Sequence, residues 1–204
     1  MRLVIQRVSQ ASVLVDGSAV SAIAEGLLVL VGIGRDDTEH DVKWASYKIL
    51  SLRLWPNADG KPWQESIKSL GLEVLLVSQF TLFAVLKGNK PDYSHAMRPD
   101  PAKALFDNLI DQTGQQHAKS KIKSGIFGAN MDVSLVNSGP VTITLDTDDF
   151  TIKGKPKKPV ASTAKAPPVS KPKVVPENPV PALETLTFPS KEAAAGAKPS
   201  EDKQ

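Results

Sequence analysis

Residues 1–153 predict an α+β domain in which antiparallel and mixed sheets curl into a barrel-like core flanked by two or three helices. Three observations carry this. About eight short segments either alternate apolar and polar residues or run apolar, which is strand patterning. Two segments change to helical spacing, and the junctions are rich in Gly, Pro, Asn and Asp. No internal repeat is visible.

The first strands are Leu3-Val4-Ile5 and Ala11–Val15, the latter ending at Asp16-Gly17, a two-residue hairpin signal. A third strand near Ala19–Ile23 and a buried one at Leu27–Val31 follow. Thr38-Glu39-His40-Asp41 has the pattern of a capping box, and Val42, Ala45 and Ile49 continue at helix spacing, predicting a helix that stops near Ser51. Residues 52–55 and 73–79 are further strands, separated by turn residues around Asn57-Ala58-Asp59-Gly60. The segment Lys87-Gly88-Asn89-Lys90-Pro91-Asp92 predicts an exposed loop. Asp100 reads as the cap of a second helix, with Pro101 at its first position and Ala102, Leu105, Phe106 and Leu109 on its apolar face before Gly114. Met131–Asn137 and Val141–Leu145 alternate on either side of Ser138-Gly139-Pro140 and predict two half-buried antiparallel strands.

The composition changes near Lys153. Of 16 prolines, 10 lie in residues 154–204, with 9 lysines against 5 acidic groups. The tail thus holds +4 of charge and leaves −1 on residues 1–153, given +3 for the whole chain, so the first part is not a basic nucleic-acid domain by charge. Residues 154–204 lack apolar periodicity and predict a disordered Pro/Ala/Lys-rich tail. Within it, Pro181–Phe188 carries three large apolar residues, and a docking motif is one reading of them.

Zero cysteines exclude disulfides, thiolate metal sites and a cysteine nucleophile. The apolar stretch Gly26 to Gly34 is too short to span a bilayer, and the N-terminus enters strand alternation without the pattern of a secretory signal. A soluble, cytoplasmic protein without membrane contact is predicted.

The usual catalytic constellations are missing. His40, His95 and His117 are isolated and read as solvated imidazoles; HExxH, GxSxG, GxxxxGK[ST] and GxGxxG are absent, so neither a metal nor a cofactor is predicted. Gly32-Ile33-Gly34 is half a phosphate loop and reads as a strand end.

What remains is rich in backbone. Ser78-Gln79-Phe80-Thr81-Leu82 follows the apolar Val74–Val77, where polar residues need a reason. One is a bulge that turns successive N–H groups toward a ligand; the other is that Ser78 and Thr81 hydrogen-bond neighbouring backbone. In Gly125-Ile126-Phe127-Gly128-Ala129-Asn130-Met131, small residues would let a planar ligand reach the backbone, with Phe127 or Met131 stacking on it; a tight turn with a core aromatic fits equally. Gly139-Pro140 joins two predicted strands, where a cis peptide can occur.

In this order, SQFTL at 78–82, GIFGANM at 125–131 and NSGPVT at 137–142 resemble the D-aminoacyl-tRNA deacylases of the bacterial and eukaryotic type. Arg7-Val8…Ala11…Val13…Val15-Asp16-Gly17 and Lys87-Gly88-Asn89-Lys90-Pro91 are similar to that family as well, so the likeness covers roughly residues 1–150. The resemblance implies a homodimer that hydrolyses the ester of D-aminoacyl-tRNA, and of mischarged glycyl-tRNA, in translational proofreading, without a cofactor. It implies that Ser78, Gln79, Phe80 and Thr81 line the reaction centre, with the Phe80 and Thr81 N–H groups as oxyanion donors. Phe127, Gly128 and Met131 would hold the adenine. Gly139 and Pro140 would enter the other subunit's site and screen chirality with their carbonyls. A nucleophilic Thr81 is the competing mechanism, though no base adjoins it in sequence. One departure is Ser138, where the family commonly has an acidic residue; serine can make the same turn bond.

A second reading is a nucleic-acid-binding module acting through the basic tail, where Lys153, Lys155, Lys157, Lys158, Lys165, Lys171 and Lys173 would contact phosphates weakly; a solubilising tail is the plainer account.

Overall fold

The computed structural model describes residues 1–150. The domain boundary expected at 153, the tail and the Pro181–Phe188 motif lie outside them.

The chain opens with one long strand, β1 (Arg2–Val15), where two were expected. At its end Asp16 and Gly17 take φ of 50° and 75°, the positive pair a tight hairpin turn requires, and the chain returns as β2 (Ser18–Ile23). The central strand is β3 (Gly26–Gly32), antiparallel to β1. Helix α1 (Glu39–Ser51) starts as expected, with the Asp41 carboxylate accepting the Thr38 N–H at 2.9 Å. It leads to a small sheet of β4 (Arg53–Trp55) and β5 (Glu65–Ser66), the one-turn helix α2 (Ile67–Leu70), and β6 (Glu73–Ser78), parallel to β3.

The exposed loop expected at 87–92 is instead a hairpin, β7 (Val85–Lys87) and β8 (Lys90–Asp92), turning at Gly88-Asn89. Helix α3 (Pro99–Gln116) begins before the predicted Asp100 cap and passes through Gly114. Pro99 and Pro101 both lie in its first turn, where a missing N–H costs no intrahelical bond. His117, expected to be solvated, is half-buried, and its Nε2–H donates to the Leu72 carbonyl at 2.8 Å. Strand β9 (Ile122–Ser124) adds to β6 in parallel.

The last element corrects the sequence reading most. The two strands expected around Gly139-Pro140 do not pair with each other; they form one strand, β10 (Asp132–Asp146), antiparallel to β1 throughout. The register jumps between Gln6↔Thr142 and Val8↔Asn137, so Ser138–Val141 bulge out of the ladder. The Asn137 side chain closes the bulge, accepting the Val141 N–H at 3.0 Å and donating to Thr142 Oγ1 at 2.8 Å.

The six-stranded mixed sheet, ordered β10-β1-β3-β6-β9 with β2 beside β1, curls into a nearly closed barrel. Its two faces bury separate cores. Leu3, Ile5, Leu27, Val29, Val74 and Leu76 face the helical side, against Val42 and Ile49 of α1 and Phe106 and Leu109 of α3. Val8, Ala11, Val13, Leu28, Leu75 and Val77 face the other. The second irregularity in β1, between Val8 and Gln10, lets odd-numbered residues change face between Ile5 and Ala11, because one extra residue inverts the pleat.

Candidate active site

At Ser78 the apolar run of β6 ends and the chain leaves the sheet. The Gln79 N–H donates to the Val31 carbonyl at 2.8 Å, and Phe80–Phe83 wind into a 3₁₀ turn rather than the expected bulge. The turn's first bond runs from Leu82 N–H to Gln79 O at 3.2 Å. The N–H groups of Phe80 and Thr81 precede it, where the start of a helical turn offers its donors no internal acceptor. The Gln79 side-chain amide donates to Thr81 Oγ1, a bond between side chains rather than the side-chain-to-backbone bonding by Ser78 and Thr81 that is the alternative sequence reading.

Two glycines let this turn pack on the end of β3. A Cβ on Gly32 would lie 2.9 Å from Leu82 Cβ, and one on Gly34 would lie 2.8 Å from the Phe83 ring. Gly32-Ile33-Gly34 is thus a strand end shaped for close packing. Arg2 clamps the turn: its Nη1 donates to the Leu82 carbonyl at 2.9 Å, its Nε to Asp146 at 2.8 Å, and its guanidinium lies 4.6 Å from the Phe83 ring centroid.

A second wall comes from the chain after β9. The Gly125 N–H donates to Leu76 O at 3.0 Å, and Ala129 N–H closes a turn on Ile126 O at 3.3 Å, with Gly128 at φ 78°. The Phe127 ring packs 5.8 Å from that of Phe106. A Cβ on Gly125 would strike Met131 Sδ at 2.6 Å, so the space at that glycine is taken by Met131, whereas the space at Gly128 is open.

A third wall was not legible in the sequence. Arg35 N–H donates to His95 O at 3.0 Å and Met97 N–H to Ile33 O at 2.9 Å, pinning residues 95–97 beside the end of β3. This brings Tyr93 and Arg98 to the same place.

The three walls enclose a cleft of about 790 Å³, of the size of small-molecule sites. Ser78, Gln79 and Phe80 line it together with Phe127, Gly128 and Met131, so two of the three motifs meet. Thr81 does not line it, and neither do Gly139 and Pro140. That pair is exposed on the β10 bulge, joined by a cis peptide, with Gly139 at φ 117°. Arg7 buttresses the bulge, its Nε donating to Ser138 O at 3.2 Å and its Nη1 to Leu54 O at 2.5 Å. Because Asn137 makes the turn bond expected of Ser138, and Ser138 contributes its carbonyl, the departure at 138 leaves these contacts unaffected.

The family model for D-Tyr-tRNA(Tyr) deacylase matches residues 4–146. The chain belongs to that family. A D-aminoacyl-tRNA deacylase of Dictyostelium discoideum is 49% identical over 150 residues, covering 73% of this chain and 99% of its own. Another, of Drosophila melanogaster, is 51% identical over 149 residues, covering 73% and 94%. A solved structure described as a c-Myc DNA unwinding element binding protein superposes with a TM-score of 0.69 at 44% identity, covering 72% of this chain and 98% of its own. A solved probable eukaryotic D-amino acid tRNA deacylase, at 18% identity and TM-score 0.62, shares the fold. The resemblance drawn from the three motifs therefore holds for the family, and this deacylase-family chain is an enzyme by kinship with the named deacylases.

Proposed function

We propose that the cleft hydrolyses the ester joining a D-amino acid to the terminal adenosine of tRNA, and that mischarged glycyl-tRNA is a second substrate. The observation that carries this is the meeting of Ser78–Phe80 and Phe127–Met131 in one cleft of a deacylase-family chain. The glycine-opened turn at Gly128 and the ring of Phe127 suit a purine, while the N–H of Phe80, which lines the cleft, suits a developing oxyanion, with the Thr81 N–H next to it in the same turn as the second donor the family resemblance implies. The substrate's ribose 2′-hydroxyl orients a water, whose oxygen attacks the carbonyl carbon. The ester C–O bond then breaks, and the water's proton ends on the departing ribose oxygen, releasing tRNA and the free amino acid. An activated ester needs no more than positioning and charge stabilisation. Translation sets the reaction in the cytoplasm.

Chirality is assigned to a second copy of the chain. Gly139 and Pro140 are exposed and stand outside their own chain's cleft, and among the described residues β10 pairs on one side only. Placed in the partner's cleft, their carbonyls would accept the substrate ammonium and turn an L side chain into the wall. Light scattering at micromolar concentration should give about twice the 21.9 kDa of one chain; a monomer with full turnover would refute the arrangement.

The test of the activity is hydrolysis of matched D- and L-aminoacyl-tRNA by the full chain and by a chain ending at residue 153. Release from the D-substrate alone, by both proteins, is the expected result. Loss of turnover on removing 154–204 would favour the nucleic-acid-binding reading, which the tail's charge supports.

A further inference from the structure

The mouth of the cleft carries an aromatic pair that hydrolysis at the ester does not use. Phe80 is 57% exposed and Tyr93 38% exposed, their ring centroids 5.0 Å apart at 73°, edge to face. Both line the cleft, along with Arg98, which is itself exposed. Large aromatic side chains left this open at a cleft call for a partner.

Tyr93 is also held in place. The Ser94 N–H donates to Asp92 Oδ1 at 3.0 Å, and the Ala96 N–H donates to Tyr93 O at 2.9 Å, fixing the backbone on both sides of the ring. The Lys87 ammonium, bonded to Asp92 at 2.6 Å, holds that carboxyl well below the usual carboxylate range, with Ser94 adding to the effect, so the clasp between hairpin and turn is ionised across the working pH range. A fixed ring loses little freedom when a ligand stacks on it.

We infer that the Phe80–Tyr93 pair is a stacking platform for the base of the nucleotide preceding the terminal adenosine, with Arg98 beside the intervening phosphate. The inference rests on the deacylase reading. With the adenosine against Phe127 and Gly128, its 5′-phosphate and the single strand before it must leave through the mouth. Single strands bind by stacking bases on exposed aromatic rings and pairing phosphates with cations. Every base has a π-face, so this platform adds affinity for the tRNA end without selecting among tRNAs.

The experiment compares D-aminoacyl-tRNA with D-aminoacyl-adenosine, which has no preceding nucleotide, in wild type, Tyr93→Ala and Tyr93→Trp, with melting temperature and oligomeric state measured on each preparation. Tyr93→Ala should lower kcat/KM on the tRNA about ten- to hundredfold, mostly through KM, and much less on the adenosine ester. Tyr93→Trp should restore the tRNA value. Equal losses on both substrates would overturn the platform and make Tyr93 a wall of the cleft. A change of oligomeric state in Tyr93→Ala would overturn it in favour of a second chain covering the pair. Wild-type protein inactive on both substrates would refute the deacylase reading itself, a result distinct from either.

Discussion

Replacing Asp37 by asparagine is expected to lower the unfolding free energy by about 3–5 kcal/mol. The Met1 ammonium is wholly buried and donates to Asp37 Oδ1 at 2.7 Å and to Thr147 Oγ1 at 2.5 Å, with an Asp41 oxygen at 4.0 Å. The other Asp37 oxygen accepts the Gly34 N–H at 2.6 Å. Asparagine has one acceptor oxygen where two are in use, so either Gly34 or the ammonium would face an NH₂ group, and the buried ammonium would keep only the more distant Asp41 carboxylate, at 4.0 Å, as a counter-charge. Burial raises the Asp37 carboxyl above its ordinary range, against the opposing pull of the ammonium, so forming this pair is costly and losing one partner costs more. The exposed Lys103–Asp107 pair is equally short at 2.6 Å, yet Lys103→Ala should change stability by no more than about 0.5 kcal/mol, because solvent screens it. Denaturant unfolding of both variants measures the contrast; an Asp37→Asn loss below about 1 kcal/mol would mean that Asp41 suffices as the ammonium's counter-charge and would overturn the role given to Asp37. The effect bears on the site because the next residue, Arg2, holds the Leu82 carbonyl of the 3₁₀ turn.

Signals confined to a few neighbouring residues were legible in the sequence. Asp16-Gly17 and the Thr38 box depend on local torsions and local bonds, and the structure contains both. The long strands were not, because a break in alternation looks the same whether the chain turns back or bulges. Ser138-Gly139-Pro140 read as a turn between two strands; its position opposite the Gln6–Val8 irregularity of β1 makes it a bulge in one strand, and only cross-strand register holds that information. The start of α3 was misplaced for a related reason. Arg98 makes no side-chain capping bond, so nothing local distinguishes Pro99 from Pro101 as the first helical position.

The candidate site divides the same way. Ser78-Gln79-Phe80 and Phe127-Gly128…Met131 were found as motifs, whereas their meeting in one cleft depends on β6 and β9 being parallel neighbours. Tyr93 left no trace in the sequence beyond an aromatic after Pro91-Asp92. Its position follows from the bridge between Gly34 and Ala96, a contact between distant parts of the chain.

Phe80→Pro is expected to lower kcat by about 10²–10³-fold relative to Phe80→Ala, the loss typical of one oxyanion donor. Both variants lack the aromatic ring, and only proline also removes the N–H. The site tolerates the exchange: Phe80 is the first residue of its 3₁₀ turn, where proline is accepted, and Gln79 before it, at φ −145° and ψ 81°, lies outside the α region that a following proline disfavours. Thr81→Ala provides the opposite control, since it keeps the backbone donor and deletes the hydroxyl. That hydroxyl accepts a bond from the Gln79 amide, a group unable to take its proton, so a nucleophilic threonine has no base in this contact. Thr81→Ala should accordingly stay within about tenfold of wild type, the scale of a lost hydrogen bond. Single-turnover rates on D-aminoacyl-tRNA, with melting temperatures on the same preparations, separate the mechanisms. Equal rates for folded Phe80→Pro and Phe80→Ala would remove the Phe80 N–H from the oxyanion site, and a folded but inactive Thr81→Ala would transfer the chemistry to the side chain.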